Sequence, residues 1–175
     1  MPSDDPAQPH AIQLAAKAMR LETKEVIGQM SRIVKPEGFV IPQFIADLTG
    51  VTQERAMDEG VSRKDAIDEF IALCDTTDVM VAHNDPFDRK IMRICLVREY
   101  GREKAEDWYC KEGRGFFCTM KAATPICKIP PTGKMVAAGF DKFKPPKLEE
   151  AYQFFFGKKP EVCHDAMADV ESTEA

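Results

Sequence analysis

The sequence predicts a single α/β domain built on a mixed sheet. Two apolar runs typical of strands lead the chain, and helical patterns then alternate with short apolar runs. The chain has 175 residues, of which 44% are hydrophobic, so it can bury one core and is not disordered. No apolar run approaches the roughly 20 residues of a membrane span. Met1 to His10 has no apolar segment typical of a secretion signal, so we expect a cytoplasmic protein without membrane contact.

Four runs predict strands. Ala11 to Met19 and Glu25 to Val34 are typical of two adjacent strands joined by a turn. Asp78 to His83 is too short for a helix and predicts a parallel strand that is buried on both faces. Gly115 to Met120 predicts a fourth strand.

Helix signals separate these strands and follow them. A helix over 62–74 begins at Ser62 with a capping pattern. Asp85 is expected to cap a second helix that ends at Gly101. Proline pairs make Lys128 to Lys147 a loop. Two more helices are predicted at Leu148 to Phe156, which ends at Gly157, and at Asp165 to Glu174.

The charge is distributed unevenly along the chain, although the net charge is only −5. Residues 1–110 hold 14 basic against 20 acidic residues, residues 111–159 hold 10 against 4, and residues 160–175 hold none against 5. A basic stretch beside an acidic one suits a metal-dependent enzyme that acts on a polyanion, and ordinary solvated faces would give the same count.

Several common sites are excluded by their motifs. The six cysteines contain no C-x-x-C pair, so we interpret them as small buried apolar residues rather than zinc ligands or disulfides. No serine lies in a G-x-S-x-G elbow, and neither phosphate-binding glycine loop is present. Nucleotide-cofactor chemistry therefore has no support.

Two local groups of residues carry chemistry. The first is His83-Asn84-Asp85-Pro86-Phe87-Asp88, which follows an apolar strand and so lies at the sheet edge where open α/β folds bind ligands. The second is His164-Asp165-Ala166-Met167-Ala168-Asp169. On one regular helix His164 and Asp169 would point about 140° apart, so we expect His164 in the preceding loop and Asp165 as the cap. A surface histidine beside a helix cap is the alternative interpretation of the second group.

Together the two groups resemble the second and third motifs of the DnaQ-like (DEDDh) 3′–5′ exonucleases, of the RNase T and ribonuclease H-like superfamily. Pro36 to Thr52 resembles that family's loop after the third strand, and Pro146 to Gly157 resembles its P-K-L-x-E segment. The resemblance spans nearly the whole chain and implies a ribonuclease H-like mixed central sheet flanked by helices.

The resemblance also implies the roles of individual residues. Asp88 and Asp169 would be two of four carboxylates that bind a pair of Mg²⁺ or Mn²⁺ ions, and His164 would be the general base. His83, Asn84, Phe87, Leu48 and Thr49 would lie near the 3′-terminal nucleotide of single-stranded DNA or RNA, and His164 would contact it as well. Thr49 stands where many relatives have histidine. The implied partner is a DNA polymerase in replication, proofreading or repair.

The family's first motif, D-x-E on the first strand, has no counterpart in the sequence. Asp4 and Asp5 lack an apolar strand before them, so we assign neither as a ligand. We therefore expect a domain over residues 1–175 that lacks its first central strand and part of its last helix, with weak or no activity. Unpaired backbone groups beside the missing strand should make it marginally stable.

Two alternatives remain open at this point. One is a non-catalytic nucleic-acid-binding or polymerase-accessory module with a degenerate exonuclease fold, and the other is an unrelated α/β protein. The basic loop Gly139 to Lys147 also has two interpretations. Its phenylalanines, Phe140 and Phe143, either stack on a single strand or anchor the loop in the core.

Overall fold

The computed structural model describes residue 5 and residues 7–110, 113–161 and 165–175, which form a mixed α/β fold. The strands are β1 Gln13–Met19, β2 Val26–Ile33, β3 Val79–Ala82 and β4 Gly115–Cys118. The helices are α1 Gln43–Thr49, α2 Gln53–Glu59, α3 Arg63–Cys74, α4 Asp85–Tyr109, α5 Thr119–Cys127, α6 Gly133–Ala137, α7 Leu148–Phe156 and α8 Ala166–Glu174.

The sheet is divided into two halves. β1 and β2 form an antiparallel hairpin, as the two leading apolar runs predict, and β3 pairs with β4 in parallel. Among the described residues no strand pairing joins the hairpin to the β3–β4 pair. The described part of the fold therefore contains both antiparallel and parallel strands, as predicted, but they lie in two separate two-stranded sheets.

The prediction that β3 is buried on both faces is wrong. Val79 and Val81 are each 49% exposed, and the neighbouring Phe117 of β4 is 50% exposed on the same face. The opposite face is covered, since Met80 packs against the main core. A short apolar run does not distinguish a strand covered on two faces from one covered on a single face.

Helices α3 and α4 form the layer on which both sheets rest. Ser62 caps α3 by accepting a hydrogen bond from the N–H of Asp65, which confirms the predicted helix start. Ile67 and Phe70 of α3 and Leu96 of α4 belong to one buried cluster. Residues of both sheets pack against this cluster, namely Leu14, Ala16, Met30 and Met80. One core thus supports two sheets that do not pair with each other.

Helix α4 differs from its prediction at both ends. Its cap is Asn84, in a left-handed conformation with φ 71°, and the predicted cap Asp85 is the first helical residue. Asp85 is instead a buried carboxylate that pairs with Arg89 at 3.1 Å. The helix breaks at Gly101, where φ is 83°, as the sequence predicts, but it resumes and continues to Tyr109. Glycine adopts such a backbone conformation without a Cβ penalty.

Other sequence interpretations have mixed outcomes. Helix α7 ends at Gly157 with φ 71°, as predicted, whereas the predicted loops contain the short helices α1 and α6. Cys74 and Cys95 are buried as expected, but Cys110 is exposed. No helix in the described part of the chain has the length and apolarity that crossing a membrane requires.

Candidate active site

The first predicted group of residues lies where β3 ends and α4 begins. The left-handed Asn84 turns the chain sharply between strand and helix, a conformation that asparagine tolerates better than most residues. Phe87 is 59% exposed, and Asn84 and Asp88 are exposed beside it. The turn therefore presents an amide, an aromatic ring and a carboxylate at one edge of the β3–β4 sheet.

His83 is held by the protein through both ring nitrogens. Its Nε2 lies 2.9 Å from the carbonyl oxygen of Pro146, and its Nδ1 lies 3.0 Å from the hydroxyl oxygen of Thr119. Because a carbonyl only accepts, Nε2 carries the proton and Nδ1 accepts from Thr119. His83 thus joins the end of β3 to the start of α5 and to the segment before α7. A nucleotide contact through either nitrogen would require one of these bonds to break.

Helix α8 carries Asp169 of the second predicted group, begins after Asp165 and lies along β1. Asp165 caps α8 by accepting from the N–H groups of Met167 and Ala168, both at 3.1 Å, as the sequence predicts. Gln13 at the start of β1 donates to Asp165 at 2.8 Å, and Lys17 pairs with Glu174 at 2.6 Å near the other end. Four strand residues and nine helical residues both span about 13 Å, so the two contacts hold α8 parallel to β1.

This arrangement brings Asp169 close enough to Asp88 for its charge to raise the pKa of Asp88. Desolvation, with smaller contributions from the negative charges of Asp85 and Asp169, raises the pKa of Asp88 to about 6. Asp88 nonetheless keeps an exposed surface, so water screens part of this effect. Two carboxylates from different halves of the molecule, α4 on β3 and α8 on β1, therefore face one region.

The cap of α8 gives a first testable prediction. The hydrogen bond from Gln13 holds the pKa of Asp165 below its usual value, helped by the two backbone N–H groups and by the charge of Arg55. Asp165→Ala should lower the free energy of unfolding by about 1–2 kcal/mol at pH 7. Because the pKa is depressed in the folded state, the difference should persist above pH 4 and shrink as the pH falls further.

Urea unfolding of both proteins at pH 7, 5, 4 and 3 measures this difference. Asp165→Asn is the matched control, because asparagine also caps helices and keeps the side-chain oxygen while it removes the charge. Equal loss of stability in both variants at pH 7 would show that the charge, and not the cap, stabilises α8.

The predicted residues Leu48 and Thr49 end helix α1. The hydroxyl of Thr49 donates to the carbonyl of Ile45 at 2.8 Å, and Leu48 is 52% exposed. Arg55 of α2 donates to the carbonyl of Gly50, and its charge lowers the pKa of Asp165. Arg55 thus interacts with the end of α1 through a hydrogen bond and with the start of α8 through its charge.

Sequence reasoning missed one residue beside these two. Phe44 is 69% exposed and lies four residues before Leu48 on α1, so the two apolar side chains share one helix face. The i, i+4 spacing of Phe44 and Leu48 is the signal for this shared face, but it lies in a segment that the sequence predicts as a loop.

The donor set fits a divalent cation that is held by few protein ligands. Asp88 and Asp169 offer hard oxygen atoms, and their mutual repulsion is what a bound cation would relieve. Magnesium is often bound by one or two carboxylates together with substrate phosphates. No cluster of three or more His, Cys, Asp or Glu suited to a metal occurs among the described residues. His164 lies outside the described residues, as do Asp4 and Cys163.

The RNase_T family model, whose description is exonuclease, matches residues 1–174. The chain belongs to the RNase_T exonuclease family. This membership confirms the family that the two motifs predict. No curated protein matches the chain.

Solved structures of E. coli Exonuclease I share the fold of this RNase_T chain. The complex with a dT13 oligonucleotide is 20% identical with a TM-score of 0.73, and covers 94% of this chain and 35% of that one. The zinc-bound complex with single-stranded DNA is 20% identical with a TM-score of 0.73, over 97% and 36%. A further Exonuclease I structure is 22% identical with a TM-score of 0.70, over 93% and 35%. The chain thus spans about a third of the length of these structures.

Proposed function

We propose that the protein is a metal-dependent 3′–5′ exonuclease that hydrolyses phosphodiester bonds in single-stranded DNA or RNA and releases nucleoside 5′-monophosphates. The observation that carries this proposal is the position of Asp88, an exposed carboxylate in the first turn of α4 directly after β3, where the charge of Asp169 also acts on it. The family supports it, and the E. coli Exonuclease I structures with bound dT13 supply the analogy for the substrate.

Each residue has a distinct part in the proposed reaction. Asp88 and Asp169 would hold Mg²⁺ or Mn²⁺, which supplies positive charge to the scissile phosphate when bound. His164, the residue before the α8 cap, would accept the proton of the attacking water. Phe87 and Leu48 would contact the terminal base and sugar through their exposed apolar surfaces, and Asn84 would hydrogen-bond to the terminal nucleotide.

The position of the two carboxylates suits hydrolysis at a strand end. Asp169 is in the first turn of α8, and Asp88 is in the first turn of α4. Backbone N–H groups at both helix starts add positive potential there, which favours phosphate oxygens. The site lies at a sheet edge with exposed side chains around it, so a flexible single-strand terminus can enter.

A cleavage assay with excess protein tests the proposal. Single-stranded oligonucleotides that carry a 5′ fluorophore should shorten stepwise from the 3′ end in MnCl₂ and stay intact in EDTA. Asp169→Asn should abolish this shortening. A block at the 3′ end should prevent it as well. Cleavage inside the strand, from the 5′ end, or without metal would contradict the proposal.

One observation favours a second candidate function, a binding module without catalysis. Among the described residues no cluster of three or more His, Cys, Asp or Glu suited to a metal ion is present. Such a module would bind the same labelled strands without shortening them, even with excess protein and Mn²⁺. Anisotropy and gel electrophoresis on one sample therefore separate the two candidates.

The finer role that we propose is proofreading or repair beside a DNA polymerase. This role requires a preference for a mismatched 3′ end over a paired one. Comparing the removal rate of the last nucleotide from matched and mismatched primers measures it, and equal rates would argue for trimming of unpaired strands or of RNA instead.

A further inference from the structure

Two open depressions lie next to the candidate site and meet at Lys121. The first, of about 530 Å³, is lined by Asp85 and Arg89 of α4, Phe117 of β4 and Lys121 of α5. The second, of about 450 Å³, is lined by Lys121 and Pro125 of α5 and by Lys142 and Phe143 of the following loop. Since Lys121 borders both, the depressions are neighbours, and together they are called one surface below. Asp85 lies one turn before Asp88, so this surface begins at the candidate site.

The loop at the far end is held in a fixed position by residues other than its phenylalanines. Lys144 pairs with Glu150, and its N–H donates to the carbonyl of Ile129 at 2.9 Å. Pro146 is fully buried, and its carbonyl accepts from His83. The loop is thus anchored on both sides of Pro145.

The phenylalanines of the loop are left on the surface. Phe140 is 63% exposed and Phe143 is 46% exposed, so the interpretation that they anchor the loop in the core is wrong. Aromatic side chains carried on an anchored loop can stack on bases with little loss of conformational entropy.

The charged residues that line this surface are three cations, Arg89, Lys121 and Lys142, against two carboxylates, Asp85 and Asp141, so its net charge is +1. Lys121 and Lys142 are exposed, and neither takes part in an ion pair within the described part of the chain. Arg89 pairs with the buried Asp85 and lies over the Phe116 ring at 4.5 Å. Asp141 is the one acidic residue in the lining of the second depression. A row of cations with an exposed aromatic ring at its end matches the phosphates and bases of a single strand.

We propose that this surface, from Arg89 through Lys121 to Lys142 and Phe143, binds the nucleotides that lie 5′ to the scissile bond of a single-stranded nucleic acid. The inference rests on the proposed function for its direction, because it requires the 3′ end at Asp88. Lys121 and Lys142 contact phosphates, and Phe143 stacks on a base. The surface therefore extends the binding site beyond the terminal nucleotide and makes affinity depend on strand length.

Fluorescence anisotropy in EDTA tests the proposal with labelled oligonucleotides of 3 and 12 nucleotides. Lys121→Ala/Lys142→Ala should bind the 12-mer at least tenfold more weakly at 50 mM salt. The slope of log K against log salt should fall by about 1.4, the value for two lost phosphate contacts. Phe143→Ala should weaken 12-mer binding at least fivefold without a change of slope. Binding of the 3-mer, which is too short to span the whole surface, should change much less than binding of the 12-mer in all variants.

The matched control is Lys24→Ala/Lys104→Ala, which removes two exposed lysines from the β1–β2 turn and the distal part of α4. Equal 12-mer binding by the native protein, the control and the Lys121→Ala/Lys142→Ala variant would overturn the proposed path. Binding of an acidic peptide in place of the 12-mer would overturn it as well.

The cleavage assay separates this proposal from the proposed function. Shortening from the 3′ end that is equally efficient in native and lysine variants would support the exonuclease and refute the path. Lysine-dependent binding of the 12-mer without any shortening would support the path and refute the exonuclease. If the native protein bound no single strand, both would be wrong.

Discussion

Replacing Asp88 with asparagine is expected to raise the midpoint of thermal unfolding at pH 7.5 and to remove metal-dependent cleavage. Desolvation and repulsion from Asp85 and Asp169 destabilise the ionised carboxylate of Asp88 in the folded protein. A neutral amide avoids both, so we expect a gain of about 1 kcal/mol, a value reduced to allow for the exposed part of Asp88. Loss of a metal ligand should lower the cleavage rate at least 100-fold.

The pH dependence follows from the direction of the pKa shift. Asp88 has a pKa of about 6 in the folded chain, against about 3.9 for an unperturbed aspartate. Between these values the folded state binds more protons than the unfolded state, so the native protein loses stability as the pH rises from 4 to 6. The advantage of Asp88→Asn should therefore be full above pH 6 and vanish below pH 4.

Thermal unfolding at pH 4, 5, 6 and 7.5, with and without MgCl₂, measures both effects. Magnesium should raise the midpoint of the native protein but not that of Asp88→Asn. Asp58→Asn, at an exposed aspartate of α2, is the control and should change neither property. A variant that is less stable than the native protein at pH 7.5 would mean that Asp88 is not under electrostatic stress.

Replacing His83 with alanine is expected to lower the free energy of unfolding by about 2–4 kcal/mol. The ring nitrogens bond to Thr119 and to the carbonyl of Pro146, so their removal leaves two partly buried polar groups without partners. The measurement is urea unfolding at pH 7.

Two further variants identify the role of His83. His83→Gln keeps one donor and one acceptor and should recover part of the stability, while Thr119→Val should cost about 1 kcal/mol and be non-additive with His83→Ala. If His83 also contacts the terminal nucleotide, His83→Gln should weaken binding of the 3-mer. Unchanged 3-mer binding together with lower stability would limit His83 to a structural role.

Local chemistry explains which elements the sequence predicts correctly. The starts of α3 and α8 follow from Ser62 and Asp165, whose side chains accept N–H bonds within the next three residues. The end of α7 follows from Gly157. In each case one residue sets the boundary through its own contacts with the nearby backbone.

Helices without such a local pattern are not predicted from the sequence. Helix α2 buries only Ala56 among its seven residues, so it has no apolar periodicity, although Thr52 accepts an N–H bond as a cap. Helix α5 contains Pro125, which argues against a helix when only the sequence is considered. These helices form because they pack against other parts of the chain.

The candidate site was predictable only through the family motifs. Nothing in the local sequence around Asp169 indicates that α8 lies along β1 and places this carboxylate near Asp88. That contact depends on pairs far apart in sequence, such as Gln13 with Asp165. Whether Val79 and Phe44 are exposed likewise depends on which surfaces distant parts of the chain cover.

The two carboxylates of the candidate site come from parts of the fold that belong to different sheets. Asp88 belongs to the β3–β4 half and Asp169 to the β1–β2 half, and in the described chain these halves are joined by helix packing rather than by a strand ladder. The separation of the two carboxylates is therefore set by helix packing and not by a strand ladder. A divalent cation held by both carboxylates would join the two halves directly, so we expect metal binding to stabilise the domain against unfolding.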